Sequence, residues 1–169
     1  MAILKILTYP DRFLNCSAIP VENIDEEIQT LISNMGATLY DAPGVGLAAI
    51  QVGRGKRVIV YDVSSQDKGR SLRVLINPRI VETEGEVISE NEGCLSVPDF
   101  RADVKRASLI LVEGLDRDGN PLRIEADGFL SLVLQHEIDH LDGTLFFERI
   151  SSLKREMYKR RMRKRIQNR

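Results

Sequence analysis

Several things that would take a protein out of water are missing from this sequence. It has no stretch of about 18 uncharged apolar residues, so no membrane-spanning helix is expected. The opening Met1 to Pro10 carries Lys5 but no long apolar run and no small-residue cleavage site, so no secretion signal is expected. Cysteine is scarce, with only Cys16 and Cys94. In the reducing cytoplasm that this pattern implies, both are expected as free thiols. No internal repeat and no low-complexity linker breaks the chain, and 169 residues are one domain's worth. The expected organisation is a single domain over 1–150 followed by a basic helix or tail over 151–169. Histidine is as scarce as cysteine: there are two, His136 and His140.

What is present is ordinary in amount and uneven in placement. Hydrophobic residues make up 43% and charged residues 29%, so a buried core is expected rather than disorder. The net charge of -1 hides a split. From Lys154 to Arg169 nine basic residues accompany one acidic residue, giving +8. In the remainder fifteen basic residues face twenty-four acidic ones, giving -9. An acidic body with a basic tail points to an anionic partner for the tail.

Apolar spacing predicts the elements. Ile24, Ile28, Leu31, Ile32, Met35 and Leu39 form one stripe, which predicts a helix from about Ile24 to Tyr40, capped by Asn23 or Asp25. Asp41 to Gly46 is a tight loop. Leu47 to Gln51 reads as a short strand, Arg57 to Val63 as another, and Leu72 to Val81 as a third with a bend at Asn77-Pro78. Glu82 to Ser89 reads as a continuation of that sheet. Val104 to Leu115 and Pro121 to Ala126 flank a hairpin turn at Asp118-Gly119. Gly128 to Leu141 is helical and apolar on several sides, which predicts burial, and Gly143 ends it. Leu153 to Arg165 is a mostly polar helix. Helix, strands, then helix points to an α+β fold: mostly antiparallel sheets packed around the central helix that carries both histidines, with an N-terminal and a C-terminal helix.

The chemistry concentrates in His136-Glu137-Ile138-Asp139-His140. Four residues apart on a helix, both imidazoles project from one face and can reach one ion. Glu137 is then placed to act as general base. A hydrolytic metal wants a third protein ligand. The spacing of one metalloprotease class continues to Gly143, but Phe146 stands where its third His belongs. Two candidates remain: Glu156 downstream, as in a zinc endopeptidase, or Cys94 upstream, whose thiolate suits zinc or ferrous iron. A closed structural site with Cys16 as fourth ligand, in an RNA-binding module, is a third reading.

Three segments stand together: Gly44-Val45-Gly46-Leu47-Ala48-Ala49-Ile50-Gln51, Glu92-Gly93-Cys94-Leu95-Ser96, and Gln135-His136-Glu137-Ile138-Asp139-His140-Leu141-Asp142-Gly143. In order and spacing they resemble the three motifs of the peptide deformylases, over about Leu4 to Ile150. The resemblance implies a metal held by Cys94, His136 and His140, with water or hydroxide in the fourth position. Ferrous iron is the implied native ion, with zinc or nickel able to substitute. The implied reaction removes the N-formyl group from the initiator methionine of nascent polypeptides and releases formate. Gln51 and the Leu95 N–H would donate to the developing oxyanion, and Glu137 would carry the proton. Gly44, Val45 and Gly46, with Arg101, would meet substrate backbone; Phe129, Leu132 and Val133 would line the methionine pocket. Glu92 and Arg106 match a structural ion pair. The implied partners are formylated nascent peptides and, through the basic C-terminal helix, the ribosome near its exit tunnel, with neither membrane nor DNA.

Overall fold

A computed structural model describes residues 1–168 of the chain. Arg169, the last residue of the basic segment, lies outside the described residues. Helix α1 spans Glu26–Asp41. It starts two residues later than its apolar stripe because Asp25 is the cap, its side chain accepting a hydrogen bond from the Ile28 N–H at 3.1 Å. The stripe Ile28, Leu31, Ile32, Met35 and Leu39 is buried.

Five strands form one antiparallel sheet. They are β1 (Gly46–Ala48), β2 (Val58–Tyr61), β3 (Arg73–Glu84), β6 (Leu109–Leu115) and β7 (Pro121–Ala126), in the order β1-β2-β3-β6-β7. Between β3 and β6 the chain makes a separate antiparallel hairpin, β4 (Val87–Cys94) and β5 (Val97–Arg106). Helix α2 spans Gly128–Leu141 and α3 spans Ser152–Gln167. The fold is α+β, as expected from the element order. No helix among the described residues is long and apolar enough to cross a membrane.

The sheet is buried between two helices. Val58 and Val60 of β2 join the core with α1, while Ile59 and Tyr61 join the core with Leu134, Ile138 and Leu141 of α2. A strand covered on both faces reads as a continuous apolar run. The hairpin contributes Val97 and Val104 to the α2 core.

Three strand boundaries differ from the sequence reading. Leu47 to Gln51 is not all strand: β1 stops at Ala48 and Ala49–Val52 is a 3-10 turn. The Gln51 Oε1 accepts the Ala48 N–H at 2.9 Å, curling the chain, and Gly53 closes the turn at φ 77°. Glu82 to Ser89 continues the sheet only as far as Glu84, the end of β3; Gly85 (φ 70°) then turns the chain, and Val87 to Ser89 belong to the hairpin. Val104 to Leu115 is two strands, parted at Ala107 and Ser108. There Gln135 of α2 takes the ladder's place, accepting the Ala107 N–H at 3.0 Å and donating to its carbonyl at 2.9 Å. The bend at Asn77-Pro78 is present as a register shift in β3, with Asn77 at φ 53°.

The segment before α1 ties distant parts together. The Leu7 N–H donates to the Gln51 carbonyl at 2.7 Å, Tyr9 to Ser96 at 2.7 Å, and Ala18 to Leu141 at 2.8 Å. Helix α3 is anchored by Tyr158 and Met162, one turn apart and both buried. The Tyr158 ring lies 4.5 Å from that of Phe100 and 5.4 Å from that of Phe147, centroid to centroid.

Candidate metal centre

Helix α2 has the predicted bounds, and it brings His136 and His140 together one turn apart, with ring centroids 5.0 Å apart. Cys94 arrives from the other side, at the end of β4, just before the Leu95-Ser96 turn. Its Sγ lies 3.3 Å from His140 Nε2. One ligand atom from each of Cys94, His136 and His140 falls within 4.8 Å of the others. Neither alternative ligand is near: Glu156 is exposed on α3, and Cys16 is exposed with its Sγ against the Arg12 carbonyl at 3.8 Å.

His136 is oriented from behind. Its Nδ1 sits 2.6 Å from Glu92 Oε1, leaving Nε2 for the cluster. Glu92 in turn accepts from Arg106 Nε at 2.9 Å and from Arg106 Nη2 at 2.5 Å. Despite burial, that guanidinium and His136 hold the Glu92 carboxyl down at about 2. Burial alone would lower the His136 imidazole, but the Cys94 and Glu92 contacts win and hold it well above its ordinary value. Burial depresses His140, and His136 adds to the effect.

Among the described residues, two buried side-chain polar atoms have no hydrogen-bond partner, Glu137 Oε2 and His140 Nδ1. Unpaired buried polar groups cost roughly 1–3 kcal/mol each, so a fold keeps them at sites of function. Burial pushes the Glu137 carboxyl up to about 7, into the range where a group both takes and gives protons near neutrality. Gly46 makes room for it: a Cβ at that position would lie 2.7 Å from Glu137 Oε1. The donor set of one thiol and two imidazoles fits a divalent first-row cation.

The remaining predicted residues surround one cleft of about 410 Å³. Gly44, Val45 and Gly46 line it, with Arg101, Leu95, and Phe129, Leu132 and Val133 from the first turns of α2. Gln51, Cys94, His136 and Glu137 also line it, whereas His140 is buried outside the lining. Phe129 and Val45 stay exposed, at 58% and 41%. These two apolar side chains face water at the cleft, where a ligand could cover them. Gln51 Nε2 donates to Ser96 Oγ at 3.1 Å and faces Cys94 Sγ at 3.7 Å. Arg101 lies over Gly93 and donates to the Asn91 carbonyl at 3.2 Å.

Sequence reading missed three contributors. Ser96 holds the Gln51 amide and also donates its N–H toward Cys94 Sγ at 3.4 Å. Glu92 was paired only with Arg106, not with His136. Asp139 binds both Arg106 and Arg149. The position of Asp139 between the two histidines was the one available signal.

Comparison with known proteins matches this arrangement. The polypeptide deformylase family profile covers residues 3–156. A peptide deformylase from Desulfosudis oleivorans is 55% identical over 166 residues, 98% of this chain and 96% of its own. Among solved structures, a peptide deformylase from Legionella pneumophila superposes with a TM-score of 0.89 at 48% identity, covering 99% of each chain. One from Ehrlichia chaffeensis, in complex with actinonin, gives 0.90 at 39% identity over 98% of each. A match spanning nearly the whole length at such identity places the chain in the polypeptide deformylase family.

Proposed function

We propose that this chain hydrolyses the N-formyl group from N-formylmethionine at the start of nascent polypeptides, releasing formate. The observation that carries the reading is the buried, unpartnered Glu137 Oε2 beside Cys94, His136 and His140 in a cleft with an apolar flank.

Cys94, His136 and His140 hold one divalent cation, ferrous iron natively, with Zn²⁺ or Ni²⁺ able to replace it. When bound, the ion supplies Lewis acidity toward the formyl carbonyl and the attacking water. The chain's own residues do the rest. Glu137 Oε2 takes a proton from the water and returns it to the leaving amine. Its raised pKa suits both halves of that exchange. Gln51 Nε2 and the Leu95 N–H donate to the oxyanion; one such donor contributes roughly 3 kcal/mol in the transition state. Ser96 and the Ala48 N–H fix the Gln51 amide at its two ends, so the donor is oriented before substrate arrives. Gly44, Val45, Gly46 and Arg101 align the peptide backbone, and Phe129, Leu132 and Val133 take the methionine side chain.

Residues 1–150 form the catalytic domain. The basic α3 meets ribosomal RNA near the exit tunnel, because its lysines and arginines mostly face solvent while Tyr158 and Met162 hold it to the body. The setting is the cytoplasm. The deciding experiment loads anaerobically purified protein with Fe²⁺ and measures formate release from formyl-Met-Ala-Ser. Actinonin, the ligand of the Ehrlichia chaffeensis structure, should block it. No formate from metal-replete protein would refute the proposal.

A further inference from the structure

We propose that Arg149 is a positioning residue for the metal ligand His136, acting through Asp139, Arg106 and Glu92. The inference rests on the reading of Cys94, His136 and His140 as a metal centre.

The contacts form an unbroken file of alternating charge. Arg149 grips Asp139 with two prongs, Nε to Oδ2 at 2.6 Å and Nη2 to Oδ1 at 2.7 Å. Asp139 Oδ2 also accepts from Arg106 Nη1 at 3.0 Å. Arg106 donates from its other two nitrogens, Nε and Nη2, to the two oxygens of Glu92. Glu92 Oε1 faces His136 Nδ1. Burial is deepest at the middle of the file: the side chain of Arg106 is 2% exposed, those of its partners Asp139 and Glu92 are 11% and 9%, and only Arg149, at 47%, reaches solvent.

Charge balance shows why Arg149 matters. Arg106 alone would face two buried carboxylates. A buried carboxylate short of a partner is costly, so Asp139 and Glu92 would compete for one guanidinium. With Arg149 present, two cations meet two anions, and Arg106 can keep both prongs on Glu92. A planar fork suits this task and an ammonium does not. Arg149 also ends the 3-10 turn Phe146–Arg149, whose Phe146 ring stacks on His136 at 6.0 Å with planes 26° apart. That one turn therefore holds His136 twice, on its ring face through Phe146 and on its Nδ1 side through the file.

The test uses full-length protein loaded with Co²⁺ and follows the ligand-field and thiolate charge-transfer bands, then the loss of Co²⁺ to excess EDTA. Groups that orient metal ligands typically change affinity ten- to a hundredfold, so Arg149→Met should lose Co²⁺ about tenfold faster than wild type, with shifted bands. Arg149→Lys, which keeps the charge and loses the fork, should fall between. Arg79→Met, which breaks only the exposed pair of Arg79 with Glu113 on the sheet, should match wild type. Both arginines are at least half exposed or nearly so, which keeps the variants folded, and thermal unfolding checks that. Bands and release rate of Arg149→Met equal to wild type, with only a lowered Tm, would overturn the proposal and leave Arg149 a structural residue. A wild type that takes up no Co²⁺ overturns the metal-centre reading, and this inference with it.

Discussion

Helices α2 and α3 are of similar length, fourteen and sixteen residues, but α2 buries nine of its residues and α3 two. Five of the nine in α2 are polar: Ser131, Gln135, Glu137, Asp139 and His140. Each of those five was placed inside at a cost in desolvation. Four have hydrogen-bond partners for at least part of their polar surface, Cys94 among them. Glu137 Oε2 does not. Helix α3 carries far more charge, and nearly all of it stays in water, where it costs nothing to keep. The difference teaches where to look for function: the weight of a charged residue lies in what its location costs, and the fewer, buried groups of α2 outweigh the many on α3.

Breaking the α2 side should have the largest effect on activity. Glu137→Ala should keep its metal and lower kcat for formate release by a factor of about a hundred to ten thousand. It should not lose thermal stability, since it removes a buried carboxyl whose Oε2 is unpaired. Metal analysis, the formate assay and a melting curve on one preparation check all three. A variant that melts much earlier would mean that Glu137 is structural.

Breaking the α3 side should show the reverse. Tyr158→Ala removes a ring that is 1% exposed and should cost about 3 kcal/mol in chemical denaturation, with formate release per folded molecule little changed. The same residue gives a pH test. Burial pushes its hydroxyl from 10.0 up to about 12, so folding favours the protonated form. Its contribution is then whole below about pH 10 and drains away as pH rises toward 12. Tyr158→Phe should flatten that alkaline limb in a pH series of unfolding curves. The smallest effect belongs to Arg165→Met. It breaks an ion pair with Asp99 at 2.8 Å between two largely exposed side chains. The loss should be under about 1 kcal/mol and should vanish in high salt.

The same contrast explains what could be read in advance. Helix α2 was legible to the residue because the spacing of three and four along Gly128 to Leu141 and a following Gly143 agree locally. The Cys94, His136 and His140 set was legible as motifs, with the choice of Cys94 over Glu156 resting on family resemblance. The strand at 47–51 was misread because its five residues are all buried and carry no period. What curls the chain there is the Gln51 amide folding back on the Ala48 N–H. The break at Ala107 was hidden because Gln135, far along the chain, causes it. The file from Arg149 to His136 joins four separate segments, and no local pattern in any of them announces the others.

The segment before α1 has a consequence in time as well as space. Its backbone bonds from Leu7, Tyr9 and Ala18 reach Gln51, Ser96 and Leu141, one in each of the three motifs. Contacts between residues so far apart in sequence are slow to form, because the loops they close are long. The hydrolytic cleft should therefore be among the last parts to mature during refolding. Tight metal uptake should follow the slowest folding phase, while the hairpin β4–β5, joined by a two-residue turn, should be in place well before it.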